Sequence, residues 1–233
     1  MTTRAQSTII GVAILLALTV VSLSALTVVV GSLVEESANA AEERRVAATM
    51  DAALDPERSG RHERRLPLAE GRLRTVDRSL RVLDGSDPVV EQSVGGLVYA
   101  AGDRRVRYVA GATVRSAGNG SRLSGEPSIA TRERTLFVGV PVLGASGVAV
   151  GGDATVTLRT NVTHDRRHLS GDGYGLAVET RTPGVWERRF GALGATTTRD
   201  SFDDDGVPSV VARFPAVRDV YVFVHDLNLE VGR

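Results

Sequence analysis

Between Ile9 and Val34 the chain carries 26 consecutive residues without a charged side chain, broken only by Gly, Ser and Thr. As an α-helix at about 1.5 Å per residue the run reaches about 39 Å, which exceeds the ~30 Å hydrocarbon core of a bilayer. It therefore predicts a transmembrane helix, being too long for the roughly 7–15-residue apolar region of a secretory signal. Ala38-Asn39-Ala40 has the A-x-A form that a signal peptidase cuts, giving a start at Ala41. Glu35 and Glu36, however, occupy the approach that such an enzyme needs small and neutral. Arg4 precedes the run, and Glu35, Glu36, Glu42 and Glu43 follow it. This asymmetry predicts a single-pass cell-membrane protein with a cytoplasmic N-terminus and an extracellular C-terminal domain.

Inside the run Ala17, Ser24 and Gly31 recur every seven residues, with Ala25 and Ser32 beside the last two. Small side chains down one helix face let helix backbones approach closely, so Ala17, Ser24 and Gly31 are the candidate packing residues.

The string Arg4-Ala5-Gln6-Ser7-Thr8-Ile9-Ile10-Gly11-Val12 places a basic residue, a small residue and a short polar step directly before the hydrophobic run. It resembles the N-terminus of haloarchaeal type IV pilin-like (prepilin or pseudopilin-type) proteins. The resemblance implies cutting by a prepilin-type peptidase between Ala5 and Gln6, so that Arg4, Ala5 and Gln6 form the processing site. It further implies retention of the helix and its bundling with other pilin-like subunits. The early glutamate of bacterial pilins is missing, since Thr8, Ile9, Ile10 and Gly11 fill that stretch. Val94-Gly95-Gly96-Leu97-Val98-Tyr99 and Trp186-Glu187-Arg188-Arg189-Phe190 are similar to segments of uncharacterised haloarchaeal membrane proteins sharing this N-terminus. Those proteins are expected to have acidic surfaces, whereas 28 arginines here balance 28 acidic residues.

The resulting division is a leader over 1–5, a transmembrane helix and stalk over 6–55, a linker over 56–71 and a β-rich domain over 72–233. The stalk reading rests on Glu35–Leu54, which lacks Gly and Pro and places Val46, Met50 and Leu54 at four-residue steps. Asp55-Pro56 ends it, and the polar, basic stretch Ser59–Arg65 reads as linker. Beyond Arg72, β-branched runs separated by Gly, Asp and Ser predict strands over 72–76, 79–83, 96–100, 104–110, 112–116, 135–142, 153–162, 176–179, 209–214 and 220–226. Arg105, Arg107 and Val109 alternate with Val106, Tyr108 and Ala110, which predicts one wet strand face. Pro183–Leu193 predicts a helix closed by Gly194. The expected fold class is α+β: a long N-terminal transmembrane and stalk α-helix followed by a mainly antiparallel β-sheet domain with one packed helix.

Zero net charge gives no footprint for nucleic acid. The absence of cysteine excludes disulfides, thiolate metal sites and thiol nucleophiles. His164-Asp165-Arg166-Arg167-His168 matches the H-E-x-x-H zinc motif except for Asp165. Aspartate is one methylene short for the general base, Arg166 and Arg167 repel a cation, and His62 and His225 lack a third ligand's spacing. The segment also follows a strand-like run, so the helix that the motif needs is not predicted. Asp203, Asp204 and Asp205 lack the alternating spacing and closing glutamate of a calcium loop and read as a turn. Gly144-Ala145-Ser146-Gly147 fits neither a nucleophile elbow nor a phosphate loop. Asn119-Gly120-Ser121 and Asn161-Val162-Thr163 are sequons, making Asn119 and Asn161 candidate N-glycosylation acceptors. Trp186 and Phe190, the largest apolar residues of the predicted helix, are expected to fill a core.

No nucleophile, base and orienting group stand at readable spacing, so no enzyme, cofactor or metal is expected. The expected function is a type IV pilin-like or pseudopilin-like surface subunit displaying a β-rich domain outside the cell. The alternative is a permanently membrane-anchored extracellular binding or sensory domain.

Overall fold

The computed structural model describes residues 3–56, 59–69, 71–171, 173–203 and 205–232, and within the first helix the side chains of 15–22 and 36–53. The chain divides into two units, Met1–Ala41 and Glu42–Arg233.

Helix α1 spans Thr3–Ala53. The expected membrane span is corrected: among the described residues, no helix is long and apolar enough to cross a membrane. The single-pass localisation, with N-terminus inside and C-terminal domain outside, is corrected with it. Further along, Val46, Met50 and Leu54 are fully buried. Their four-residue stripe is therefore part of a core, where the sequence suggests a stalk.

The strands, in chain order, begin with β1 (Gly60–Leu68), β2 (Arg72–Val76), β3 (Ser79–Asp84), β4 (Asp87–Ser93), β5 (Gly96–Ala101) and β6 (Arg104–Val109). They continue with β7 (Ala112–Ala117), β8 (Gly120–Gly125), β9 (Ile129–Arg132), β10 (Thr135–Val142), β11 (Ala149–Gly151) and β12 (Ala154–Ser170). After β13 (Tyr174–Glu179) comes helix α2 (Pro183–Ala192), then β14 (Thr196–Asp200), β15 (Ser209–Arg213), β16 (Asp219–Asp226) and β17 (Glu230–Gly232).

Among the described residues the strands form three sheets. The first runs β1-β12-β16-β10-β9, with β17 also on β12; the second runs β11-β2-β5-β6-β7-β8, and the third β14-β15-β13-β3-β4. β10 and β16 pair in parallel, Thr135–Val142 against Asp219–Asp226. The expected α+β class, one mainly antiparallel sheet behind a membrane helix, is thus corrected to a three-sheet β body. The physical reason is that a twisted open sheet rarely exceeds about 10 strands before it splits into packed layers.

One core gathers Val46, Met50 and Leu54 with Leu73, Leu97, Tyr99, Val106 and Tyr108 of the second sheet and Leu66, Val156 and Leu158 of the first. The other joins Leu80, Leu176 and Val210 of the third sheet to Leu136, Val138 and Val222 of the first, together with Trp186 and Phe190 of α2. β12 serves both: Val156, Leu158 and Val162 enter one core, and Leu169 packs against the other.

β1 lies where the polar stretch reads as a linker. It is an edge strand that buries only Leu66 and Leu68, and charged exposed positions suit an edge. α2 ends near its expected place because Gly194 takes φ +80°, a left-handed conformation that glycine adopts without a Cβ penalty. The N–H groups of Leu193 and Ala195 then donate to the Phe190 carbonyl at 3.0 and 3.1 Å.

Candidate functional site

The alternation in β6 places Val106 and Tyr108 in a core and turns Arg105, Arg107 and Val109 to the other face. The register carries this pattern across the second sheet: Arg74 lies opposite Val98, Val98 opposite Arg107, and Arg107 opposite Val114. Facing it is the segment between β13 and α2, where Thr180, Arg181 and Thr182 precede Trp186. The two surfaces enclose a cavity of about 240 Å³, lined by Arg74, Arg78, Arg105, Arg107 and Arg181 above an apolar floor of Val98, Val109, Val114 and Trp186.

Among the described residues no carboxylate lines this cavity. Arg78 pairs with the nearly buried Glu179 at 3.1 Å. Burial pushes the Glu179 carboxyl above its ordinary value, against the pull of Arg78 and of the Ser79 N–H at 3.0 Å. Arg107 donates to the Ser116 hydroxyl at 3.1 Å, and Arg105 to the carbonyls of Gly102 and Arg104 at 2.6 and 2.8 Å. Burial first, then the like charges of Arg105, Arg181, Arg74 and Arg78, lower the Arg107 guanidinium from its ordinary value. The Thr182 hydroxyl bonds Thr180 at 3.1 Å and does not cap α2. The positive end of the helix dipole therefore borders the cavity as well. Guanidinium groups hold negative charge but do not exchange protons near neutral pH. The arrangement suits binding.

The histidines lie on strands of the first sheet. His164 and His168 lie on strand β12, not on a helix. His164 lies opposite His225 of β16, and His168 Nε2 meets Asp219 Oδ1 at 2.9 Å with its ring stacked on Tyr221. Among the described residues no group of three or more His, Asp or Glu is placed to hold a metal ion. The aspartate turn serves arginines: Asp203 accepts from the buried Arg81 at 2.8 and 3.1 Å, and Asp205 lies 3.8 Å from Arg78. Asp204 lies outside the described residues.

Asn119 is exposed in the β7–β8 turn, and Asn161 is exposed on β12. Gly144–Gly147 forms the loop between β10 and β11. Ala17 is exposed, whereas the side chains of Arg4, Ala5, Gln6, Ser24 and Gly31 lie outside the described residues. Trp186 and Phe190 are buried core residues with ring centroids 5.4 Å apart.

The sequence marks Arg105 and Arg107 through their alternation with apolar residues. Arg74, Arg78 and Arg181 carry no such mark, because three separate segments converge only in the folded body. No curated protein and no solved structure matches the chain. The model of a family of unknown function, DUF7289, matches residues 4–230, and the protein therefore belongs to that family.

Proposed function

We propose that this chain is a non-enzymatic subunit that associates with further copies through the N-terminal part of α1 and uses the β body as a binding module. One observation carries the association. Leu15, Leu16, Leu18, Val20 and Val21 leave 60–69% of their surface exposed. At about 100° per residue they are spread around the whole helix circumference. A helix with one wet face needs one apolar stripe, whereas a helix apolar all round needs cover on every side. Several like helices provide such cover. The likeness of Arg4–Val12 to type IV pilin-like subunits supports the same reading, with cutting between Ala5 and Gln6 preceding association.

The chain contains no cysteine, so Ala17→Cys places a single thiol on the exposed helix. Mild oxidation of the native preparation should yield disulfide-linked dimers, and Leu16→Glu with Val20→Glu should abolish them. An intact mass starting at Gln6 is expected for the processed subunit. A chain that sediments as a monomer at every concentration, and never cross-links, would overturn the association. The arginine-lined cavity favours a second reading, a binding domain that works as a single copy.

A further inference from the structure

We infer that the cavity between the second sheet and the β13–α2 segment is a binding site for a small organic anion, its charged head held by the arginines and its apolar body resting on Val98, Val109, Val114 and Trp186. The inference rests on the reading of the β body as a binding module and is independent of whether the helix associates.

Charge gives the first argument. Arg74, Arg105, Arg107 and Arg181 come from β2, β6 and the β13–α2 segment, and among the described residues none of them forms an ion pair. Like charges gathered at a partly enclosed site repel one another more strongly than in open water. Burial first, and then the like charges of Arg105, Arg181, Arg74 and Arg78, lower the Arg107 guanidinium. An anion entering the cavity relieves the repulsion and gains charge-assisted hydrogen bonds, bidentate where a planar guanidinium meets a carboxylate or phosphate.

Shape and lining give the second. The volume of about 240 Å³ falls below the ~300–1,000 Å³ of sites for drug-sized ligands. It suits a compact molecule and excludes a polymer. Val98, Val109, Val114 and Trp186 line the cavity with apolar groups that an aryl or branched alkyl body would match and inorganic phosphate would not. The shared ligand chemistry is one carboxylate or phosphate on a small apolar body.

Trp186 is the only tryptophan of the chain, and it lines the cavity. Intrinsic fluorescence of the full-length protein therefore reads occupancy directly. Phenyl phosphate and benzoate are the probes, benzamidinium is the cationic counterpart of benzoate, and inorganic phosphate lacks the apolar body. Saturable emission changes are expected for the first two and none for benzamidinium. Inorganic phosphate should bind more weakly than phenyl phosphate.

Arg107→Gln and the exposed Arg181→Gln should each weaken phenyl phosphate binding by about ten- to a hundredfold. Arg107→Gln also removes a like charge, so it should melt no lower than the parent while binding less, a pair of results that misfolding would not give. Equal response to benzamidinium, or no saturable change with either anion up to about 10 mM, would overturn the assignment. Equal affinity for inorganic and phenyl phosphate would overturn the apolar half of it. None of these outcomes depends on cross-linking through Ala17, so failure of the site and failure of association are read separately.

Discussion

Nδ1 of His164 and Nδ1 of His225 lie 2.7 Å apart across the β12–β16 pair. One ring must donate the proton and the other accept it, and Ser59 Oγ engages the far nitrogen of His164 at 2.7 Å. Burial, and then the neighbouring His164, lower the His225 imidazole below its ordinary value of 6.5. The unfolded chain therefore binds a proton at a pH where the folded chain does not. Stability from this pair is fully present above about pH 6.5 and is lost as the pH falls from there through the depressed folded value. Melting temperatures from pH 7.5 to 5 should decline in the parent and decline less in His225→Asn. Parallel profiles in the two proteins would rule the pair out as the cause.

Glu43 of α1 is buried between Arg104 and Arg115, at 2.9 and 3.0 Å. A buried charge cluster loses heavily when one member is removed, because the remaining charges stay desolvated without a partner. Glu43→Ala should destabilise the body by about 3–5 kcal/mol in urea unfolding. A loss under about 1 kcal/mol, as for an exposed pair, would show that water replaces the carboxylate.

Gly71 lies against Tyr99. A Cβ at Gly71 would sit 2.0 Å from Tyr99 Cε2, and the tyrosine is held by donating its hydroxyl to Glu42 Oε1 at 2.7 Å. With Tyr99 almost fully buried, the ring has little room to yield. Gly71→Ala should cost about 1–3 kcal/mol as overpacking, and Tyr99→Phe in the same background should recover part of it by freeing the ring. No loss on Gly71→Ala would contradict this close approach.

Tyr108 donates its hydroxyl to the Leu54 carbonyl at 2.9 Å, just past the end of α1. Burial, with the nearby charges of Asp51 and Asp55, raises the phenol well above its ordinary value. The bond therefore persists through alkaline pH. Tyr108→Phe leaves the carbonyl without this donor and should cost about 1–3 kcal/mol. Hydrogen exchange should show earlier opening around residues 50–56 than in the parent, and an unchanged exchange pattern would dissociate Tyr108 from the helix end.

Local chemistry was enough to place much of the secondary structure. β2 and β10 have their expected bounds, because β-branched runs between turn residues favour strands whatever surrounds them. α2 follows from Pro183 at its start, Gly194 past its end, and Val185, Trp186 and Phe190 on one face. Edge strands were hidden for the opposite reason. β1 is polar along most of its length, and pairing with β12, not its own pattern, makes it a strand.

What the sequence determined by itself was the apolar run Ile9–Val34, the alternation of Arg105 and Arg107 with Val106 and Tyr108, and the spacing of Val46, Met50 and Leu54. Each is a short-range pattern set by helix or strand periodicity. Only the tertiary structure decided what these patterns face. It buried the Val46 stripe in a core, set His164 beside His225 from 61 residues away, and brought Arg74 and Arg181 to the wall that Arg107 begins. Residues far apart in the chain meet through sheet register and layer packing, and no local pattern encodes that meeting.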